Sequence, residues 1–328
     1  MPNSTLAALP FALAALAPFS SGADDAGPER SDDIENVVVT AQRVAVPADE
    51  VGSSMTVVTR AELELRQPTF VSDALRDVPG LAVSRGGGFG AVTQVRIRGA
   101  EGNHALVLID GVEANNPVAD SEFDFANLLV ADIERIEILR GPQSALYGSD
   151  AIGGVINVIT REREPGFDAG LSAEAGSFGT RTVGVSVGGG SERYTGGASW
   201  THLTTDGHNF ARGGSEKDGF ENEAVTMRGR ALVSDALTLN GSLRHIDSRQ
   251  EFDSQDFSFP PGPTQGLVVD DDVSSRIEQW FARAEARLEH GRTTQRIGVS
   301  GTHTQNVFFD AGAVTGRNEG DKTKLDYQ

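Results

Sequence analysis

Hydrophobic and polar residues alternate through the second half of the chain, from residue 167 to residue 328. A period of two is typical of β-strands that present one apolar face and one wet face. Four stretches show it best, with apolar positions at Val183, Val185 and Val187; Val225, Met227, Ala231 and Val233; Leu237, Leu239 and Leu243; and Trp280, Ala282, Ala284, Ala286 and Leu288. The pattern predicts about eight antiparallel strands.

The connections between these strands favour a membrane barrel over a soluble sandwich. After a first short loop near Gly176, the short links "GGGSER", "SDA" and "EHG" alternate with two long polar segments. Outer-membrane barrels have short periplasmic turns and longer outer loops, whereas a sandwich has no reason to gather its long loops at one end. About eight strands close only a narrow barrel, which could not enclose a large domain. We therefore expect an N-terminal part of a larger protein.

Residues 51–162 predict a mixed α/β unit. Strands are expected at "SSMTVVT", "TQVRIRG" and "GGVINVITR", and a helix at "TFVSDALRDVPG" with Thr69 as its N-cap. The run "HALVLIDGVEAN" predicts a hairpin that turns at Asp110-Gly111. A short helix and then a strand are expected within "FANLLVADIERIEILRG", and a helical turn within "PQSALYGS".

The N-terminal residues predict export and a tether. Residues 1–23 hold the apolar run "LAALPFALAALAPF" and then Ser21 and Ala23, spaced as in a signal-peptidase site, although "MPNST" lacks Lys and Arg. A disordered N-terminus is the alternative. Residues 24–50 are polar and acidic apart from the valines of "ENVVVTAQR", and they read as a flexible tether. The sequence contains no run of about 18 apolar residues, so it predicts no membrane-spanning helix.

Composition excludes several classes of function. The formal net charge of −19 argues against a nucleic-acid partner, since phosphate binding needs Lys and Arg. The chain has no cysteine, and its six histidines are scattered. The glycines of "RGGGFGAVTQVRIRG" precede a strand rather than a helix, so they do not form a dinucleotide fingerprint. Nothing is similar to a nucleophile elbow or a phosphate-binding loop.

Three segments resemble TonB-dependent outer-membrane receptors, within which the cobalamin (vitamin B12) receptors look most similar. They are "ENVVVTAQR", "VRIRGAEGNHALVLIDGVEANNP" and "IERIEILRGPQSALYGSDAIGGVINVITRE". The resemblance implies an α+β plug domain, residues 51–162, followed by an antiparallel transmembrane β-barrel. That barrel has 22 strands in the family, and residues 167–328 would supply its first strands.

The resemblance also implies a function. A monomer in the Gram-negative outer membrane would bind a bulky solute on its outer side and import it, while the TonB complex pulls the plug. No reaction would be catalysed. Cobalamin is the first expectation for the ligand, and a ferric siderophore or another chelate is the alternative. A signalling transducer and a non-energised porin are further alternatives.

The partner-binding residues are expected in the TonB box. It comprises Glu35, Asn36, Val37, Val38, Val39, Thr40 and Ala41. A free strand in a tether can add to the sheet edge of a periplasmic partner through main-chain hydrogen bonds. An ordinary edge strand of the plug is the alternative.

Ligand-binding residues are expected on two exposed loops of the plug. They are Arg85, Gly86, Gly87, Phe89 and Gly90 in the first loop, and Asn115, Asn116 and Asp120 in the second. Glycine permits a close approach of the backbone to a bulky solute. Phe123 could offer an apolar surface, whereas Phe125 is expected to pack inside the plug.

Two sets of charges complete the expectations. The first set comprises Arg96, Arg98, Glu134, Arg135, Glu137 and Arg140. These side chains should pair with each other or with the barrel wall, in a polar interface that a modest pull can remodel. The second lies in one outer loop and comprises Asp253, Asp256, Asp270, Asp271 and Asp272. Loop carboxylates can hold Ca²⁺, but a solvated acidic loop is the favoured interpretation.

Overall fold

The computed structural model describes residues 38–39, 46–47, 53–118, 121–211, 213–214 and 216–328. The expected signal peptide and most of the tether lie outside these residues. No helix among the described residues is long and apolar enough to cross a membrane.

Eight antiparallel strands form one sheet in which each strand pairs with the next along the chain. Numbered with the strands that precede them, they are β10 (Gly166–Ala175), β11 (Arg181–Gly190), β12 (Tyr194–Thr205), β13 (Phe220–Ser234), β14 (Leu237–Gln255), β15 (Val268–His290), β16 (Thr293–Asp310) and β17 (Ala313–Tyr327). We call this sheet the wall. The predicted strand number and pairing are confirmed.

The two faces of the wall differ as the alternation predicted. On β12, Ser199, Thr201 and Leu203 are buried, whereas the intervening Trp200 and His202 are not. On β11 the outward residues Val183 and Val187 are more than a third exposed. The polar side chains are therefore those that face inward.

The other described strands belong to the first half of the chain. They are β1 (Val38–Val39), β2 (Val46–Pro47), β3 (Ser54–Thr59), β4 (Leu81–Arg85), β5 (Thr93–Ile97), β6 (Ala105–Ile109), β7 (Val112–Glu113), β8 (Ile133–Arg140) and β9 (Gly154–Thr160). A five-stranded sheet has the order β3-β8-β9-β6-β7, with β6 and β9 parallel and its other pairs antiparallel. Strands β4 and β5 form a separate hairpin. We call residues 53–160 the inner domain.

The hairpin at Asp110-Gly111 forms as predicted. Ile109 pairs with Val112, so Asp110 and Gly111 are the two turn residues. Both have positive φ, 50° and 78°. A two-residue turn with this backbone matches the twist of the flanking strands, and Asp and Gly tolerate it best.

Three short helices accompany the inner domain: α1 (Arg60–Arg66), α2 (Val71–Leu75) and α3 (Ser144–Tyr147). The predicted N-cap of α2 is wrong, because Phe70 rather than Thr69 occupies that position. The Phe70 amide donates to the Asp73 carboxylate at 3.3 Å, while the Thr69 carbonyl accepts from Val130. Helix α1 was not predicted, although the Thr59 side chain caps it.

The inner domain packs its apolar core against the inward face of the wall. Ala224, Ile246 and Phe281 of the wall join the core cluster of the inner domain. A second cluster holds Phe70 and Leu129 of the inner domain with Leu203 and Phe220 of the wall. The expected polar interface is thus only part of the contact, because apolar residues of both parts also pack together there.

Candidate functional site

The first predicted ligand loop joins β4 to β5. The Gly86 amide donates to the Val92 carbonyl at 3.0 Å, which closes the base of the loop. Gly86, at this base, and Gly87, further toward the tip, are both exposed. These two glycines are thus placed where a solute could touch the backbone.

Arg85 and Phe89 lie beside this tip but are partly buried. The Arg85 guanidinium donates to the Asp73 carboxylate at 3.0 Å and lies 5.2 Å from the centre of the Phe70 ring. Phe89 packs edge-on against Phe70, with ring centres 5.2 Å apart, and its ring lies 6.5 Å from Phe220 of the wall. Both side chains therefore hold the loop to helix α2 and to the wall.

Gly90 ends the loop against the wall. It has a φ of +81°, and an added Cβ would lie 2.4 Å from the Phe220 ring. Any side chain at Gly90 would collide with Phe220 and would also strain the backbone. Phe210, in the wall loop between β12 and β13, also lies against this segment. A Cβ added at Gly88 would lie 3.1 Å from the Phe210 ring. Sequence reasoning missed Phe210, because nothing local marks this contact.

The second predicted ligand loop follows β7 and is shaped by Asn115. This side chain is 1 % exposed; it accepts from the Val107 amide at 2.8 Å and donates to the Ala105 and Ser121 carbonyls at 3.0 and 2.7 Å. Its amide is thus fully used within the inner domain. Asn116 is half-buried and accepts from the Val118 amide at 2.9 Å. Asp120 lies outside the described residues.

Phe123 and Phe125 both pack inside. They are 2 % and 1 % exposed, with ring centres 4.8 Å apart. The inward placement expected for Phe125 is confirmed, and Phe123 shares it.

Asp124 links the two loops. Its carboxylate accepts from the Thr93 amide at 2.8 Å and from the Ala126 amide at 2.9 Å. Burial raises the pKa of Asp124 to about 6, and the nearby Glu122 charge adds to the rise, whereas the two backbone hydrogen bonds oppose it. Neither sequence nor spacing singled out this residue.

The acidic residues expected in one outer loop lie mostly on strands: Asp253 is on β14 and Asp270, Asp271 and Asp272 are on β15, so only Asp256 lies in the loop between them. Asp253 and Asp270 each offer a carboxylate oxygen within 4.8 Å of one from Glu216, a residue of another loop that sequence reasoning missed. Asp253 also accepts from the Asp271 amide at 3.1 Å. Asp256 is elsewhere and accepts from Thr264 at 2.6 Å. Desolvation and the surrounding carboxylates, Asp272 among them, raise the pKa of Glu216.

Charged contacts between the inner domain and the wall involve residues that sequence reasoning did not select. Arg228 of β13 contacts Asp110 at 2.9 Å and also Glu162, which lies just beyond the inner domain. Lys322 and Lys324 of β17 contact Glu113.

Four of the six charges expected at this interface form contacts within the inner domain, and one pair of them joins as the first of the two predicted alternatives. Arg135 pairs with Glu137 within the inner domain at 2.9 Å, and Arg140 donates to the Thr56 hydroxyl at 2.8 Å and to the Pro79 carbonyl. Arg96 donates to Gln94 at 3.1 Å. No hydrogen bond or ion pair between these three arginines and the wall occurs among the residues that the structure describes.

The predicted TonB box is described only at Val38 and Val39. These two residues form strand β1, which pairs with Val46–Pro47 of the same chain. Glu35, Asn36, Val37, Thr40 and Ala41 lie outside the described residues. Val38 and Val39 are thus strand residues that pair within the chain, and binding of this segment to a partner stays a prediction.

A family model covers most of the inner domain. Residues 47–155 match the TonB-dependent Receptor Plug Domain. The match includes both predicted ligand loops.

Solved structures with a similar fold extend into the wall. The ferric enterobactin receptor PfeA of Pseudomonas aeruginosa is 19 % identical with a TM-score of 0.63, over 83 % of this chain and 46 % of that one. The siderophore receptor PiuA of Acinetobacter baumannii is 16 % identical with a TM-score of 0.65, over 80 % and 38 %. FpvA of P. aeruginosa, solved with bound pyoverdine, is 18 % identical with a TM-score of 0.68, over 90 % and 42 %. The chain thus spans less than half the length of these proteins.

Proposed function

We propose that this chain, whose residues 47–155 are a TonB-dependent receptor plug domain, is part of an outer-membrane receptor that imports a bulky iron chelate. The observation that carries the proposal is the packing of this plug domain on the inward face of the wall. A pore filled in this way does not conduct by free diffusion. Passage of the solute then requires that the plug be remodelled. The proposed activity is therefore transport and not catalysis.

The outward face of the wall supports a place in the outer membrane. On β14 it is mainly apolar from Leu237 to His245, nine residues, and it becomes charged at Asp247. A transmembrane β-strand needs about 9–11 residues. Strand pairing places Trp200, Val225, His245 and Trp280 in one row at the end of this band. Aromatic residues at the edge of an apolar band are typical of outer-membrane barrels.

TonB is the proposed energy-coupling partner. The segment from Glu35 to Ala41 would add as a strand to its periplasmic domain, with backbone hydrogen bonds supplying the grip. The pairing of Val38–Val39 with Val46–Pro47 supports its capacity to form such a strand. In this proposal the receptor is pulled by its partner, unlike a passive porin.

The proposed ligand is a ferric siderophore. By name, PiuA is a siderophore receptor and PfeA a ferric enterobactin receptor, and FpvA was solved as a complex with a pyoverdine and iron. These names favour this alternative over the cobalamin that the sequence resemblance put first. The proposed contacts are the exposed Gly86 and Gly87, together with the less exposed Arg85, Phe89 and Gly90 of the same segment, and Asn116 and Asp120 in the second loop. Asn115 would act by shaping that loop.

Growth tests the ligand directly. A strain that lacks the full-length receptor is compared with its parent under limiting iron, with the iron chelators of its own spent medium supplied, and under limiting cobalamin. We expect a growth defect under limiting iron alone. A defect confined to limiting cobalamin would reverse the choice of ligand.

Calcium binding is a separate proposal. Glu216, Asp253 and Asp270 could share one Ca²⁺, since Ca²⁺ takes several carboxylate ligands. Calorimetry of the full-length receptor tests it. An unchanged thermal stability and ligand affinity on adding Ca²⁺ would leave these residues as a solvated acidic group.

A further inference from the structure

The two predicted ligand loops converge on residues 122–127, which we call the junction. The amide of Thr93, the residue that directly follows the first loop, donates to the Asp124 carboxylate at 2.8 Å. The Asn116 amide of the second loop donates to the Glu122 carbonyl at 3.3 Å. One short segment therefore holds the ends of both loops.

Asp124 joins the first loop to the turn that forms the rest of the junction. The carboxylate oxygen that accepts from Thr93 also accepts from the Ala126 amide at 2.9 Å, which caps the turn Phe125–Asn127. Thr93 is fully buried, and its hydroxyl donates to the Ala91 carbonyl at 2.8 Å, inside the first loop. A shift of this turn would therefore move the end of the first loop.

The junction is bound to the wall at Asn127. The Asn127 main-chain carbonyl accepts from the side-chain amide of Asn222 on β13 at 3.2 Å, and its side-chain oxygen accepts from the hydroxyl of Ser248 on β14 at 2.9 Å. All three residues are less than 5 % exposed. Strands β13 and β14 are each paired with a neighbour on both sides, so this contact lies in the interior of the wall and not at either of its edges.

We propose that the junction positions the first ligand loop relative to β13 and β14, so that two buried wall residues, Asn222 and Ser248, set the affinity for the solute without contacting it. This inference rests on the proposed receptor function. A binding loop keeps its productive geometry only when the residues behind it hold it there. When the loop occupies that geometry for a fraction of the time, the apparent dissociation constant rises by the inverse of that fraction.

The link can be broken separately at its two ends. Asn222→Ala combined with Ser248→Ala removes both donors on the wall, whereas Asp124→Ala removes the acceptor of the Thr93 amide. We expect either break to raise the dissociation constant about tenfold. Because the two ends act in series on one loop, all three substitutions together should add less than about twofold to either break alone. If Asn222→Ala assembles poorly, Ser248→Ala alone replaces the pair, with an expected effect of about threefold.

The probe is the iron-chelate fraction of spent medium from the cells that make the receptor, loaded with radioactive iron. The measurement is its equilibrium binding to the purified full-length receptor in detergent. Asp124→Asn is the conservative variant, because its side-chain oxygen can still accept from the Thr93 amide while the charge is lost. It should bind the probe within about twofold of the parent, which separates the hydrogen bond from the charge.

Asp110→Ala is the control for a general loosening of the plug. It breaks the contact with Arg228, which is another contact between the plug and β13, at a point that no residue of the junction shares. It should lower stability and leave the dissociation constant within about twofold of the parental value. A loss of affinity in Asp110→Ala equal to that in the junction variants would overturn the positioning role.

A second readout needs no solute. The chain has no cysteine, so nitroxide labels can be attached at Gly86→Cys in the first loop and Glu221→Cys on the outward face of β13, with any cysteine beyond residue 328 replaced. Pulsed electron paramagnetic resonance then measures the distance between loop and wall. We expect a narrow distance distribution in the parent and in Asp110→Ala, and a broad one after either break in the junction.

The two readouts distinguish the possible failures. Parental affinity in the wall variants, effects of the two breaks that multiply, or an unchanged distance distribution would each overturn the inference. Failure of the proposed function looks different. In that case the parent retains no more of the probe than the heat-denatured receptor does, although the distances broaden as expected.

Discussion

Arg228 of the wall donates a hydrogen bond to Asp110 of the plug at 2.9 Å, across 118 positions of sequence. The same carboxylate accepts from the Thr160 amide at 2.9 Å and from the Thr160 hydroxyl at 2.6 Å. One carboxylate thus joins the turn of the β6–β7 hairpin, the end of β9 and the wall.

Replacing Asp110 should loosen this junction. Asp110→Ala removes the acceptor of three hydrogen bonds and leaves Arg228 with Glu162, which should lower the free energy of plug unfolding by about 2–4 kcal/mol. Glu162→Gln is the control: its carboxylate is 66 % exposed, so it should cost about 0–1 kcal/mol. Urea unfolding of the purified receptor, monitored by the susceptibility of the plug to proteolysis, measures the free energy of plug unfolding in both variants. Equal losses in the two variants would contradict this ranking.

Glu113 should hold the β7 edge in a pH-dependent way. Burial favours its neutral form, but the hydrogen bonds and charges of Lys322 and Lys324 outweigh it, so the pKa of Glu113 lies below its ordinary value of 4.5. A lowered acid pKa stabilises the folded state above that ordinary value, and the contribution disappears as the pH falls through the folded value.

Hydrogen exchange in β6 and β7 measures this effect. We expect protection to fall with acid in the parent and to be lower, with less dependence on acid, in Glu113→Gln. A Glu113→Gln variant with parental protection near neutral pH would show that the lysine contacts do not fix this edge.

The contribution of Asp124 to stability should depend on pH in the opposite sense to that of Glu113. Its folded pKa of about 6 lies above the ordinary 3.8, so its stabilisation is complete below 3.8 and is lost as the pH rises through 6. The difference corresponds to at most about 3 kcal/mol. Asp124→Asn removes the titration, and its unfolding free energy should change less than the parent's between about pH 4 and pH 7. Identical pH profiles for the two proteins would refute the assignment.

Gly90 should not tolerate a side chain. Gly90→Ala places a methyl group 2.4 Å from the Phe220 ring at a φ of +81°, which should cost about 2 kcal/mol or more. Gly86→Ala is the matched control, since its nearest atom would be the Val92 carbonyl oxygen at 3.7 Å, and we expect less than about 1 kcal/mol. Thermal unfolding compares the two. A harmless Gly90→Ala would mean that the loop is not held against Phe220.

A charge introduced within the apolar band should impair assembly in lipid, whereas the same charge outside the band should not. Leu239 is 43 % exposed on the outward face, within the band. Leu239→Arg should reduce stable assembly in lipid by about 2–4 kcal/mol. Leu267→Arg, in the loop between β14 and β15, places the same charge outside the band and should assemble normally. Heat-modifiable mobility of the folded barrel on gels reports assembly, and similar assembly of both variants would argue against this band.

Local signals predicted much of the fold. Alternation predicted the wall strands, because each strand has one apolar and one polar face, and Asp110-Gly111 predicted its hairpin, because few residue pairs accept that backbone. The N-cap of α2 shifted by one residue because the Thr69 carbonyl is engaged by Val130, a long-range contact.

The pairing of charges was not predictable in the same way. Arg228 is one of many arginines on alternating strands, and its choice of Asp110 depends on where a distant hairpin meets the wall. The grouping of Glu216 with Asp253 and Asp270 likewise depends on which loop lies against the ends of β14 and β15. Asn115 had the chemistry of a ligand contact, but only the structure reveals that neighbouring backbone uses its whole amide.

The most direct test of the account is a single substitution in the predicted TonB box of the full-length receptor. Val38→Pro removes a backbone donor that a paired strand needs, whereas Val38→Ile keeps both the donor and the β-branched shape. The measurement is uptake of the radioactive iron-chelate fraction by intact cells, beside its binding at low temperature. The account predicts that Val38→Pro binds normally and imports nothing, while Val38→Ile does both. Import by Val38→Pro at the parental rate would contradict it.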